Sequence, residues 1–261
     1  MTDHVFKGEL SCIKFAVNET AFTYWDTDAD FHTRHFLEHY DPRFFAYLAD
    51  VHFENIEEKG QPAATALRLI YAQALETFFA MIGVLLQAPK GPLPWLLSYR
   101  PSQLRKLIAK IQDGEDLLNH LGLQPVTWDA IAQIMFGSVI ADGFPYDAEA
   151  KFRTSWKRLA RDFLSDDLRQ EYNSIKHGIR TQYGGIKSIA VGEAKFDGGD
   201  YGSCFTKRKL LKSHQFQVTR HYVNWTPECV HAAVALVVLS MECVLAALKG
   251  INGMTTDITF P

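Results

Sequence analysis

Two stretches of the chain are apolar on almost every side: LRLIYAQALETFFAMIGVLLQ over 67 to 87 and CVHAAVALVVLSMECVLAAL over 229 to 248. Arg68, Gln73 and Glu76 interrupt the first, and His231 and Glu242 the second. Neither therefore supplies the run of about 20 unbroken apolar residues expected of a membrane span, and both are expected as helices buried in a globular core. The first is predicted from about Ala63 to Gln87, ended by PKGPLP at 89 to 94, where the prolines remove backbone donors and fix φ. The second opens on Thr226 as a cap, Pro227 at the first helical position and Glu228 in the first turn, and is predicted to stop at Gly250.

Between them the helical period recurs over 101 to 112, 114 to 121 and 127 to 137, followed by a loop, DGFPYD, at 142 to 147. Phe152, Trp156, Leu159 and Phe163 then mark a helix from about Asp147 to Phe163. Ser165 is placed as the N-cap of the next one, with Asp166 and Asp167 where the helix dipole favours carboxylates. Ahead of all these, residues 8 to 25 predict a β-hairpin turning at Asn18, DTDAD (26 to 30) an acidic loop, Phe31 to Glu58 a helical stretch broken at Pro42, and EKGQP (58 to 62) a linker. After 180, glycines punctuate strand-forming runs at 186 to 191 and 214 to 225. The expected fold is mainly α: a helical bundle with a small β-rich insertion at about 181–225 before the last helix. An N-terminal extension over 1–62 precedes a helical domain over 63–261.

A length of 261 residues with 47% hydrophobic content is enough to bury a sizeable core. The net charge of −3 argues against a protein that coats nucleic acid through a broad basic surface, and leaves room only for a local site. Cys12, Cys204, Cys229 and Cys243 form no C-x-x-C pair and are expected as buried thiols in a reducing, cytoplasmic setting. The start, MTDHVFKGELS, lacks the basic-then-apolar order of a secretory signal, so the glycosylation pattern Asn18-Glu19-Thr20 carries no weight.

Chemistry concentrates in EYNSIKHGIR, residues 171 to 180. On the helix that starts after Ser165, the spacing of Leu164, Leu168, Tyr172, Ile175 and Ile179 predicts the packing stripe. Arg169, Asn173 and His177 are four apart and share another face, with Lys176 beside Asn173. If Gly178 ends the helix, Arg180 reaches back from the turn. A histidine, with an ordinary pKa of about 6.5, suits proton transfer near neutrality, and lysine and arginine suit charge on phosphate oxygens. The polar patch of Gln73, Glu76 and Thr77 adds a carboxylate, and Glu76 is a candidate partner for Lys176, His177 or Arg180.

The segment YNSIKHG, with its amphipathic helix before it and a β-elaboration and apolar helix after it, resembles the HEPN superfamily (higher eukaryotes and prokaryotes nucleotide-binding). The resemblance implies a helical bundle, frequently dimeric, and for many members a metal-independent ribonuclease of toxin–antitoxin, antiphage or CRISPR systems that needs no cofactor. The family signature is an Arg and a polar residue a short distance upstream of an essential His. Asn173 takes the polar place and His177 that of the His, while Tyr172 stands where the Arg would be. By resemblance, His177, Asn173, Lys176 and Arg180 are the expected catalytic group, and Arg169, Tyr172 and Glu76 the expected substrate-binding group. RNA and a second copy of the chain are the expected partners, with an antitoxin or defence-system protein as a further one.

Two other readings stand beside this one. A binding module of the same fold would use the basic face without cleaving anything. A metal-dependent hydrolase would draw on Asp26, Asp28, Asp30, His32, His35, Glu38 and His39, in which His35 and His39 have the i, i+4 spacing of a shared ligand pair. Two basic clusters, Arg153, Lys157, Arg158 and Arg161 around Trp156 and TKRKLLKSH at 206 to 214, are further candidates for RNA backbone contact.

Overall fold

The computed structural model describes residues 11–26, 28–137, 148–177, 181–184, 188–191, 194–197, 201–211 and 215–255. The element order is β1 (Ser11–Val17), β2 (Thr20–Asp26), α1 (Ala29–His39), α2 (Arg43–Glu54), α3 (Ile56–Lys59), α4 (Gln61–Gln87), α5 (Pro92–Ser98), α6 (Pro101–Asp113), α7 (Trp128–Gly137), α8 (Ala148–Leu164), α9 (Asp166–Lys176), β3 (Thr181–Tyr183), β4 (Ser188–Val191), β5 (Ala194–Asp197), β6 (Gly202–Leu210), β7 (Phe216–Asn224) and α10 (Pro227–Ile251). The chain is mainly α with small β parts, as the apolar periodicity predicts. It forms two compact units, each assembled from separated segments: Met1–Asp41, Phe78–Ala160 and Ser240–Pro261 in one, Pro42–Thr77 and Arg161–Leu239 in the other.

The first unit is built around aromatic rings. Phe78, Phe79, Trp95, Trp128, Phe136 and Trp156 are all essentially without solvent exposure, and each such burial contributes roughly 1.5–3 kcal/mol relative to leaving the ring in water. A buried indole N–H needs an acceptor, and all three tryptophans have one. Trp95 donates to the Ala16 carbonyl at 3.1 Å, Trp128 to Gln112 Oε1 at 2.9 Å and Trp156 to Ser240 Oγ at 2.9 Å. Gly83 leaves the space that Trp95 fills, since a Cβ there would lie 2.2 Å from Cη2 of the ring.

The predicted hairpin is present, and its turn explains why Asn18 marked it. Asn18 has φ +56, a left-handed conformation that asparagine tolerates. The fully buried Gln87 grips this turn: its Oε1 accepts from Asn18 N–H at 2.9 Å, and its Nε2 donates to the carbonyls of Asn18 at 3.0 Å and Leu118 at 2.9 Å. Asn18 is itself buried and donates to Gln103 O, which removes it as a glycosylation acceptor.

Several sequence expectations are corrected. Residues 114 to 121 form no helix: Gly114 closes α6 in the left-handed conformation at φ +68. Asn119 then folds the following chain into a loop, accepting from the N–H groups of Leu121 and Leu123 and donating to the carbonyls of Leu117 and Leu123. The expected linker at 58 to 62 narrows to Gly60 at φ +60, because α4 already begins at Gln61. PKGPLP does end α4, but its last three residues open α5, with Pro92 where a missing N–H is harmless. Gly250 lies inside α10, and the chain reverses at Gly253, φ +67. Of the four thiols, Cys204 and Cys243 are buried, while Cys12 and Cys229 are exposed. The expected loop at 142 to 147 lies outside the described residues.

By length and composition α4 and α10 are apolar enough to cross a membrane; 72% of the apolar window of α4 and 50% of that of α10 are buried within the chain.

In the second unit, β3, β6 and β7 form an antiparallel sheet in the order β3-β6-β7, and β4 pairs with β5 in a separate hairpin. The β6–β7 register runs from Gly202 opposite Asn224 to Leu210 opposite Phe216. The sheet packs against α9 through β3 and the first half of β6, where Ser203 and Phe205 are buried. The strand β6 falls where the sequence suggested only a basic cluster.

Candidate functional site

Helix α9 carries the motif, and its start is as predicted. Ser165 is extended (φ −60, ψ 131), and its Oγ accepts from the N–H groups of Asp167 at 3.2 Å and Leu168 at 3.4 Å, satisfying donors that the first turn leaves free. The helix ends at Lys176. His177 is the C-cap, with its N–H donating to the Asn173 carbonyl at 3.2 Å.

The buried face of α9 differs from the expected stripe. Leu168 is buried, but Tyr172 and Ile175 are only half-buried, and the residues in full contact with the interior are Leu168, Glu171 and Ser174. Glu171 has no solvent exposure. Its Oε2 accepts from Arg68 Nε at 3.2 Å and Nη2 at 2.9 Å, and its Oε1 from Trp225 Nε1 at 3.0 Å. The Arg68 guanidinium lies over the rings of Tyr71 and Trp225, and Tyr71 donates to Asp162 Oδ2 at 2.7 Å. A buried charge is tolerated only when paired and hydrogen-bonded. This network meets that demand and fixes the rotation of α9, and so which side chains it shows to solvent. The sequence signal for it was Arg68 in an otherwise apolar helix, a cation that requires a carboxylate.

Turned outward by this anchor are Asn173, Lys176 and His177, all exposed. Among the described residues no side-chain hydrogen bond engages Asn173 or His177. Lys176 Nζ stands 5.6 Å from the Tyr172 ring centroid. Glu76 on α4 belongs to the same group: burial pushes its carboxyl above the ordinary value, and the Lys176 charge partly offsets this. Burial, with the Glu76 charge as a smaller cause, also raises Tyr172. Gln73 is exposed, and its carbonyl accepts from Thr77 Oγ1 at 3.0 Å. Of the predicted residues, then, Asn173, Lys176, His177, Tyr172 and Glu76 occupy one region. Arg169 is drawn elsewhere, paired through Nη2 with Asp166 Oδ1 at 2.9 Å at the opposite end of the helix. Arg180 lies outside the described residues.

The histidine-rich segment has a different organisation from a ligand set. Asp26 Oδ2 meets His32 Nδ1 at 2.6 Å and accepts from the Tyr24 hydroxyl, while Oδ1 accepts from Asp28 N–H at 3.0 Å. The Tyr24 hydroxyl is the main cause, followed by the Asp28 N–H and His32, of an Asp26 pKa lowered to about 2. His35 and His39 stack with ring centroids 4.2 Å apart, and His39 Nδ1 bonds the His35 carbonyl at 2.9 Å. Among the described residues no three His, Cys, Asp or Glu converge to hold a metal ion. The cluster around Trp156 is also reinterpreted: the indole is buried and unavailable for stacking, and Arg153 and Lys157 both pair with Asp129, at 3.0 and 3.1 Å.

No protein-family model, no curated protein and no solved structure matches this chain.

Proposed function

We propose that the C-terminal turn of α9 is an RNA-cleaving site of the HEPN type, acting without metal in a cytoplasmic stress response or phage defence. The observation that carries this reading is the pairing of Asn173 and His177, exposed one helical turn apart on a helix held in rotation by Glu171 and Arg68. In the reaction the RNA 2′-hydroxyl attacks the adjacent phosphorus and the 5′-oxygen departs, leaving a cyclic phosphate. His177 takes the proton from the 2′-hydroxyl or supplies one to the leaving oxygen. Asn173 orients the phosphate or the imidazole, and Lys176 offsets charge developing on the phosphate oxygens. DNA lacks the attacking hydroxyl and is resistant. A second copy of the chain, and an antitoxin or defence-system protein, complete the proposed set of partners. Digestion of RNA in EDTA by the protein and by its His177→Ala variant tests the reading; cleavage is expected from the first and not from the second.

A second reading keeps the surface and omits the reaction, so that the protein binds RNA, a nucleotide or a partner protein. Tyr172 in the place of the signature Arg favours it, as does the capture of Arg169 by Asp166. RNA affinity that falls with salt, without turnover, is its mark.

A further inference from the structure

The β6–β7 ribbon has a surface that the α9 site does not use. Residues 202 to 224 contain five Lys or Arg and no Asp or Glu, in a chain with 30 acidic and 27 basic residues. The first residues of β6 are buried, but from Thr206 outward most of both strands is exposed. Successive side chains of a strand alternate between faces, so the cross-strand pairs divide into two sets. One set, with Ser203, Phe205 and Lys207, faces α9: the first two are buried and Lys207 bonds Asp167. The other set pairs Thr206 with Arg220, Arg208 with Val218 and Leu210 with Phe216, and includes Tyr222. This face is open. Tyr222 is 44% exposed, Val218 56%, Phe216 55% and Leu210 68%.

From Phe216 to Tyr222 the open face extends about 20 Å. Along it the aromatic rings of Phe216 and Tyr222 are separated by the guanidinium groups of Arg208 and Arg220, and Arg208 Cζ lies 5.8 Å from the Phe216 ring centroid. Exposed apolar side chains of this size mark a contact surface, and the accompanying charge selects an anionic partner. A second ribbon is excluded as that partner by repulsion between two acid-free basic surfaces. An inserted membrane element would use the apolar end alone, Leu210, Leu211 and Phe216, whereas here a second exposed ring, Tyr222, lies on the far side of Arg208 and Arg220 from that end. Two rings flanking a pair of guanidinium groups on one face suit a single polynucleotide strand: flat faces for bases and cations for the phosphates between them.

We infer that the open face of the β6–β7 ribbon is a holding site for single-stranded RNA, with bases stacked on Phe216 and Tyr222 and the backbone neutralised by Arg208 and Arg220. The choice of RNA over DNA rests on the function proposed above. The ribbon crosses α9 at Asp167, about 15 Å along the helix axis from His177, so it holds the strand away from the cleavage chemistry. The two sites are therefore separable by mutation.

Fluorescence anisotropy of a labelled oligouridine tests this in the full chain carrying His177→Ala, so that cleavage plays no part. The paired substitutions Arg208→Ala and Arg220→Ala are expected to weaken binding about tenfold or more and to reduce the slope of log affinity against log salt by roughly 1.4. Tyr222→Leu and Phe216→Leu, which keep apolar bulk and lose the ring, are each expected to weaken it about fivefold or more. All four positions are exposed, and an unchanged thermal midpoint verifies that the fold survives. Affinity equal to the parent in these variants overturns the proposal. So does binding to anionic phospholipid vesicles without binding to the oligonucleotide. Failure of the His177 digest would overturn the nuclease reading and leave these affinities unaffected.

Discussion

Removing the carboxylate of Glu171 tests whether a buried ion pair governs the position of α9. Glu171 is fully buried and the Arg68 side chain is 12% exposed. In Glu171→Ala the guanidinium therefore keeps its charge, loses both short contacts to Oε2 and cannot reach bulk water freely, while Trp225 Nε1 loses its acceptor. Breaking such a pair from one side destabilises a fold by about 3–5 kcal/mol, mostly through the stranded charge. At roughly 2–4 °C per kcal/mol for a chain of this size, the midpoint should fall by roughly 6–20 °C. Urea unfolding followed by far-UV circular dichroism measures the free-energy change directly. The double substitution Arg68→Met, Glu171→Leu removes both charges and keeps the volume, and should recover the part of the loss due to the stranded charge, though not the acceptor of Trp225 Nε1, because a buried pair gives little net stability over apolar packing. A Glu171→Ala variant within about 1 kcal/mol of the parent would refute the argument, as would a double variant less stable than the single one.

Three further outcomes follow from the same geometry. Gly83→Ala places a methyl group 2.2 Å from the buried Trp95 ring; it should destabilise the protein by about 1–3 kcal/mol or more in thermal unfolding, and an unchanged midpoint would show the ring free to move. Glu76 has a folded-state pKa above its unfolded value of about 4.5, so the stability it contributes is fully present below that value and is lost as pH rises through the raised pKa. Glu76→Gln should therefore gain on the parent in melting temperature between acid and neutral pH, and a constant difference would contradict this. Asp26 has the opposite sign: its contribution is present above about 3.8 and lost as pH falls through about 2. Acid titration of the Tyr24 and His32 resonances should report opening of their contacts with Asp26 in that window, and titration at the ordinary carboxylate value would count against it.

Local signals were readable wherever the physics is local. Ser165 caps α9, Asn18 turns the hairpin and Pro92 opens a helix for reasons contained in a few residues. Tertiary partners were not. Glu171 reads as one more polar residue beside the motif until Arg68, over a hundred positions earlier in the chain, is seen against it. The helical period over 114 to 121 is overridden by four hydrogen bonds to the single side chain of Asn119. Strand β6 escaped notice because TKRKLLK has the composition of a solvated loop; its strand character comes from pairing with β7 and β3. Asn173, Lys176 and His177 were legible as neighbours on one face, and their exposure follows from the buried contacts on the other side of α9.

In the proposed chemistry His177 moves a proton in RNA cleavage. Its most direct test is the digestion, in EDTA, of an oligoribonucleotide and of the same strand with a single 2′-deoxy residue at the site of cleavage, by the protein and by His177→Ala. A cyclic-phosphate end is expected from the all-ribo strand with the parent protein alone, together with protection of the deoxy-substituted linkage. Equal cleavage by the variant, cleavage at the deoxy linkage, or an intact ribo strand would contradict it.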